Sequence, residues 1–521
     1  MKKILTLVLV TLLLFFIASC SASDTRNQDI IRIGDETGDW GFPSPYGMYF
    51  RGQGYIRMSL LFDTLIWKDK QGQFMGMLAE SWDYQEQQNV FTFNLRQDVK
   101  WHDGQAFDAS DVVFTFNYIK QHPWVWIDSS CIDSVKKTGD FSVEIIMAKK
   151  YAPFLANIAG TLPVLPEHVW KDIEDPFNYS GEDALTGTGP FTLADYSPSE
   201  GSYLFEANQD YYGGKVNIDS IAFVKVVPET SASMLQSNNI DAAAIPADIA
   251  ADIQQKGLIL EQEPPVWVAK LLINHENHEL LALEQVRQAL AYAVNLEQIV
   301  EISQRGFAVK GSAGLIPPAN SSWYNPEIFQ YNFDREKAKK ILEEHGYQLK
   351  QDGYYYSGDR ILKLELAVSQ GDFERDAQII KSNLEEAGIK IDLVSYEGKT
   401  LDSKIENWDF DLAISGHGGL GGDPEALNRV ITGQDFNSVR YFKDEHLVNL
   451  LEAQVQEMDI RKRRQMVYQI QDLYSQHLPS ITLYYPQWYW AHSQKADIFF
   501  TPGGVALGIP LPLNKIAFID Y

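Results

Sequence analysis

A chain of 521 residues, 45% hydrophobic and 22% charged, is long enough for two or three domains and has the balance of a globular protein. Its 44 basic residues are outnumbered by 70 acidic ones, for a formal net charge of −26. That surplus excludes a nucleic-acid partner, which needs a basic footprint; it suits solubility outside a cell and says nothing about fold. Aromatic residues make up 12% of the chain, 12 of them Trp, a content common in binding clefts although most such rings are core.

The first element is a leader. Lys2 and Lys3 precede an almost wholly apolar run at 4–17, and Ala18-Ser19-Cys20 follows. A charged start, an apolar run short for a membrane span and small residues at its end describe a secretory signal at 1–19. Ile17-Ala18-Ser19-Cys20 resembles a bacterial lipobox, which implies cleavage before Cys20 and a diacylglycerol on its thiol; the plainer reading is an ordinary signal that happens to hold a Cys. Acyl chains at Cys20 would be the chain's one membrane contact, with residues 20–29 as a lipidated tether. Removing Lys2 and Lys3, with no acid in 1–19, takes the charge from −26 to −28. Of the 2 Cys, Cys131 is then alone; no internal disulfide is possible, and it reads as a small buried hydrophobe.

After the tether, 30–33 predicts a short strand, and 34–49, rich in Gly, Pro and aromatics, a loop. A helix is expected over 55–65, an alternating half-buried strand at 90–95, and a helix opening at Ser110-Asp111 with Ser110 or Asp108 as its cap. Strands and loops continue to about 227. Helices follow at 283–294, 335–345, 373–387 and 459–477, with Gly346 and Gly388 at helix ends, and strands at 362–368, 389–396 and 410–414 alternate with them. The first half reads as β-rich, the second as α/β.

Six phrases then occur in order: MLAESW (77–82) with TFNLRQDVKWHDGQAFDASDVVFTF (92–116), LPVLPEHVW (162–170), GTGPF (187–191), NQDYYGGK (208–215) and VRQALAYAVN (286–295). Together they resemble the family 5 extracellular solute-binding proteins, the peptide/nickel type, from about residue 30 to the C-terminus. Physically, most of these phrases are structural. Trp101-His102-Asp103-Gly104 suggests a catalytic pair but fits a turn, with Asp-Gly supplying positive φ and Trp101 packed beneath. GTGPF reads as a tight bend at a crossing between lobes, and 286–290 as helical core.

The resemblance implies an α/β, two-lobed clamshell of the periplasmic-binding-protein type with a small domain inserted in the first lobe. Lobe I would take 30–48, 185–273 and 481–521, the inserted domain 49–184 and lobe II 274–480, with a hinge near Ile273-Asn274 and Leu483-Tyr484. It also implies function: a monomeric, exported substrate-binding component of an ABC importer that closes on a small solute and delivers it to the permease subunits. Such a protein is not an enzyme and needs no cofactor.

The ligand is written less plainly. Asp409 to Ser415 reads as a strand running into Gly416-His417-Gly418-Gly419-Leu420-Gly421-Gly422-Asp423-Pro424 and a helix from Glu425. By the resemblance this loop lines the cleft. Peptide-binding members carry an acid three residues before the Asp-Pro pair to grip an α-amino group; here Leu420 stands there, and only a shifted alignment would let Asp423 serve. The glycines bring bare backbone to a ligand, and a helix start favours an anion. His417 is a candidate ligand for a metal chelate, against the commoner role of a hydrogen-bonded loop histidine. Trp40, Tyr46, Tyr485 and Trp488 are aromatic cleft candidates by position, with packing as their default; Pro486 would confine 482–490 to a sheet edge or bulge. The acidic charge points to a cationic or neutral solute. A short or modified peptide and a metal chelate such as nickel with an organic ligand are the expected solutes, an oligosaccharide the alternative. The loop 416–421 also fits Gly-x-Gly-x-x-Gly, which would suit an exported oxidoreductase, but no second strand ending in an acid follows. Gly398-Lys399-Thr400 lacks the first glycine of a phosphate loop, and His275 and His278 lack zinc-protease spacing.

Overall fold

The computed structural model describes residues 29–371, 373–433 and 438–520. The signal, Cys20 and all of the tether but Asp29 lie outside them. Two large sheets organise the rest. The first has seven strands in the order Ile259–Gln262, Tyr489–His492, Ala242–Ile245, Ile30–Asp35, Ser220–Lys225, Ser202–Ala207 and Phe191–Ser197. Ile30–Asp35 lies parallel to both of its neighbours, and the pairs outside them are antiparallel. The second has six: Ala308–Lys310, Ser480–Pro486, Val268–Ile273, Leu412–His417, Lys363–Ser369 and Lys390–Tyr396. Between the first two strands of lobe I the chain builds a four-stranded antiparallel sheet, in the order Ala79–Gln85, Val90–Leu95, Ser142–Met147, Ile132–Gly139, backed by helix Ala109–Gln121. The fold is the two-lobed α/β architecture with an inserted domain.

Local chemistry explains most elements. Asp108, not Ser110, caps helix Ala109–Gln121, accepting from Ser110 N at 2.6 Å while Asp111 accepts from Asp108 N at 3.1 Å. Asp334, Asp444 and Asp459 cap Arg335–Glu344, Glu445–Gln454 and Ile460–His477 in the same way. The expected helix at 55–65 forms instead as Gly52–Leu61. It stops there because the insertion returns against its end: Gly189 N donates to Leu61 O at 2.8 Å, and a Cβ at Gly187 would sit 1.9 Å from that oxygen. The turn at Trp101 holds the same bend, His102 N donating to Gly187 O at 2.8 Å and His102 Nε2 lying 3.0 Å from Gly189 O. GTGPF thus joins the inserted domain to lobe I rather than one lobe to the other.

The hinge lies outside the expected positions. Val268–Ile273 and Ser480–Pro486, assigned to lobe I from sequence except for Ser480, pair with each other inside the second sheet. The crossings are therefore at 263–267 and 487–488. Ser480–Pro486 is an internal strand that tolerates Pro486 because the proline is its last residue, opposite Ala308.

Among the described residues burial forms four clusters, which fall into two bodies; the first body holds one large core and a small separate one around Leu235, Ile240 and Ile253. One continuous core runs from Ile31 and Ile33 through Phe93, Trp101 and Val112 of the inserted domain to Leu511, Leu513 and Phe518. The inserted domain and lobe I therefore share one core. Cys131 is 1% exposed within that core, as expected. Lobe II has separate apolar layers on the two faces of its own sheet. An ion pair stitches the first body: Lys515 Nζ and Asp63 Oδ1, 2.5 Å apart, are both fully buried, with Tyr212 Oη donating to Asp63 Oδ2 at 2.8 Å. Removing one partner of such a pair costs roughly 3–5 kcal/mol, because the other charge is left buried and alone. Lys515→Met should lower the chemical-denaturation midpoint accordingly, and Asp63→Asn added to it should restore part of the loss; an unchanged midpoint in the single variant would refute this account.

Candidate functional site: the cleft between the lobes

Strand Leu412–His417 leaves the lobe II sheet and delivers the glycine-rich loop to the gap between the bodies. Two of its glycines are explained by close approach. A Cβ on Gly416 would lie 1.8 Å from the Trp267 ring, and one on Gly422 would lie 2.6 Å from Gly508 Cα. The second contact crosses the cleft, since Gly508 belongs to the C-terminal segment of the lobe I body. That segment turns sharply: Gly503, Gly504, Ala506, Leu507 and Gly508 all have positive φ.

A cavity of about 740 Å³ opens beside this contact. The first body contributes Lys68 and Phe74 of the inserted domain and Gly503 and Gly504 of lobe I; lobe II contributes Asn320, Trp323, Asp423 and Arg464; Pro264 and Val266 of the first crossing close the back. A smaller recess of about 240 Å³ is lined by Trp126, Tyr151, Asn157, Glu425, Arg429 and Leu507. Asn157 Nδ2 reaches Glu425 Oε2 at 3.4 Å from the inserted domain, and burial raises the Glu425 carboxyl above its usual range. Ala152 N donates to Val455 O at 2.7 Å, a further bond between the bodies. These contacts describe a closed clamshell.

The acid that would grip an α-amino group is absent from the loop. Leu420 is 3% exposed, and its carbonyl accepts from Asn320 Nδ2 at 2.9 Å. Asp423 reaches the cavity wall, but its two oxygens are held by Arg463 Nη2 and Nη1 at 2.5 and 2.7 Å. Arg463 is itself buried, bonded to Gln454 Oε1 at 3.0 Å. Asp423 therefore neutralises a buried guanidinium and offers no free carboxylate.

His417 is 5% exposed, with Nδ1 2.8 Å from Gly418 O. Burial, aided by the Lys270 charge, keeps its ring well below the usual imidazole range, so it is neutral at pH 7. Its Nε2 is buried without a hydrogen-bond partner. Among the described residues, no group of three or more His, Cys, Asp or Glu side chains could hold a metal ion. Gly418 and Gly419 are the open positions of the loop, where a Cβ would meet only Trp267 Cδ1 at 3.8 Å and Arg429 Nη2 at 3.9 Å.

The aromatic expectations need correction. Tyr46 is 2% exposed, its hydroxyl donating to His122 O at 2.8 Å amid Tyr118, Trp170 and Phe177 in the inserted domain. Tyr485 is fully buried and donates to Leu315 O at 2.9 Å inside lobe II. Neither presents a face to a solute. Trp40 is half-buried in the lobe I wall, its Nε1 donating to Asp35 Oδ2 at 2.9 Å beside the buried Arg57. Trp488 is 44% exposed at the second crossing, 5.8 Å from Trp267. The dinucleotide reading also falls: the helix after the loop, Ala426–Thr432, is short, and the next strand, Ser480–Pro486, does not lie beside Leu412–His417. Lys68, Trp323, Arg464 and the 503–508 turn were not singled out from sequence. Only the last carries a local signal, in its density of glycines.

Comparison with known proteins agrees with this geometry. The family of bacterial extracellular solute-binding proteins, family 5 Middle, matches residues 73–438. The dipeptide-binding protein of Escherichia coli (strain K12) is 30% identical over 381 residues, 67% of this chain and 68% of that protein. The nickel-binding periplasmic protein of the same organism is 26% identical over 432 residues, 79% and 80% of the two chains. Among solved structures, NikZ from Campylobacter jejuni in complex with Ni(L-His) superposes with a TM-score of 0.76 at 24% identity, covering 92% of this chain and 97% of that one. DppA from Helicobacter pylori in complex with peptide STSA gives 0.73 at 21%, over 93% and 98%. A cleft between two separately cored bodies, joined by two short crossings, is what a solute-binding clamshell requires, and the chain belongs to the family 5 bacterial extracellular solute-binding proteins, the solute-binding components of ABC importers.

Proposed function

We propose that this protein captures a short or modified peptide, or a metal chelate, in the 740 Å³ cavity and presents the closed form to its permease. The observation that carries the reading is the Gly422–Gly508 contact, where the bodies meet backbone to backbone beside a cavity with walls from both. A solute touching both walls stabilises the closed state by its differential contacts, and no bond is made or broken. The relatives' own solutes, peptide and nickel, support the choice of class. The acid missing at Leu420 weighs against a plain free N-terminus as the anchor. Cys20 is taken as the lipid attachment, holding an exported monomer at the outer face of the cell membrane; no helix among the described residues is long and apolar enough to cross one.

The test is thermal shift with intrinsic tryptophan fluorescence on the chain from residue 21 onward, against nickel with and without histidine, di- to pentapeptides, and cello- and malto-oligosaccharides. A saturable rise in midpoint with one of the first two classes is expected; a response to the sugars alone would overturn the solute class. Gly422→Ala should weaken whatever binds by at least about tenfold, roughly 1.4 kcal/mol, since its Cβ would hold the bodies apart at Gly508. Unchanged affinity in that variant would remove the closure contact from the mechanism. Separately, Cys20→Ala should shift the protein from the membrane fraction to the soluble one and abolish labelling by a radioactive fatty acid; a membrane-bound, labelled variant would place the anchor elsewhere.

A further inference from the structure

The charges facing the large cavity run against the chain's composition. In a sequence with 70 acidic and 44 basic residues, its ionisable wall groups are Lys68, Arg464 and Asp423. Asp423 is already matched by Arg463 behind it, and its Oδ1 also accepts from Glu425 N at 2.8 Å. Lys68 and Arg464 remain, one on each body.

Lys68 stands at the end of strand Ile66–Lys68, where it donates to Gly503 O and Gly504 O at 2.9 and 2.7 Å. Those bonds use two of its three N–H groups. Arg464 lies in the first turns of helix Ile460–His477, an exposed side chain whose Nε donates to Ser322 O at 2.9 Å. That bond fixes the guanidinium at the wall and leaves its paired Nη groups, the fork that suits a carboxylate. No ion pair is formed by either cation among the described residues.

We infer that the cleft selects solutes carrying a carboxylate, held between Lys68 on the lobe I body and Arg464 on lobe II. The inference rests on the cleft being the solute site. A carboxylate shared between one cation from each body adds electrostatic attraction specifically to the closed form, and it does so within a wall that, apart from the paired Asp423, is uncharged. Burial pushes the Lys68 ammonium down to about 8, with Asp423 opposing the shift. It is still mostly charged at pH 7, but poorly solvated, and an incoming anion would relieve that cost.

Two matched sets of probes test this by calorimetry and thermal shift. The first is N-acetyl-tetraalanine as the free acid and as the carboxamide; the second is nickel–nitrilotriacetate, which is anionic, against nickel–triethylenetetramine, which is cationic. At least one acid member should bind, its counterpart should bind at least about tenfold more weakly, and Arg464→Met should weaken the acid by a similar factor while leaving the free protein's midpoint unchanged. Arg464→Met is the cleaner variant, because Lys68→Met would also release the 503–508 turn. Binding of amide or cation as tightly as acid, full acid affinity in Arg464→Met, or no response to either acid would overturn the inference. Gly422→Ala separates the two failures. A probe whose binding ignores Gly422→Ala is not in the cleft, whereas a probe weakened by Gly422→Ala but not by Arg464→Met occupies the cleft without the carboxylate grip.

Discussion

Everything in this molecule depends on where apolar burial is continuous and where it stops. It runs unbroken from the first sheet into the inserted domain and on to the C-terminal segment, then gives way at the cleft. Across the cleft the joins are of another kind: Ala152 N to Val455 O, Asn157 to Glu425, the exposed pair Arg305–Asp248, and Gly422 against Gly508, with Met458 on the first core and Phe307 beside Tyr489 as apolar additions. Single hydrogen bonds and backbone contacts of this sort contribute on the order of 1 kcal/mol each, small beside the burial that fixes each body. The molecule can therefore part at the cleft without disturbing either core, and a solute of ordinary affinity suffices to bias the two states.

The electrostatics show why a whole-chain charge is a poor guide to a site. The acidic surplus predicted a cationic or neutral solute, yet the unmatched groups at the cavity are a lysine and an arginine. Asp423, the one acid there, is spent on Arg463. The potential in a cavity is set by the few charges within several ångströms of it and by what already neutralises them, and a sum over 114 ionised side chains contains neither.

Much of the fold was legible because its signals are local. Helical periodicity placed Glu284–Ala293, Glu374–Glu386 and Ile460–His477 to within a residue or two, and alternation placed Val90–Leu95 without error. The glycine-rich loop was read as following a strand that ends at Ser415; the strand, Leu412–His417, also takes in Gly416 and His417. The hinge was misplaced because Val268–Ile273 and Ser480–Pro486 are apolar strands that either sheet could have accepted, and pairing across some 210 residues leaves no mark in a local pattern. Two of the four aromatic candidates failed for a related reason: Tyr46 and Tyr485 sit in stretches rich in rings, and only the packed structure shows that their hydroxyls end on backbone carbonyls in two different cores. Lys68 and Arg464 were invisible because a lone basic residue after a short strand, or near a helix start, looks like any solvated surface charge.

The C-terminal segment has one further consequence. Leu511, Leu513 and Phe518 complete the core that begins at Ile31, and Ile519–Asp520 pairs with Lys215–Val216. Everything from Ile31 to Phe518 must be present before the first lobe can finish packing. A chain made from its N-terminus onward thus stays incompletely folded until the 511–520 segment arrives, since contacts of such long sequence separation form late. For a protein of an exported family this delay is an advantage. The topology itself postpones the native state until the 511–520 segment has been made, keeping the polypeptide in the loose form that a narrow translocation channel can thread.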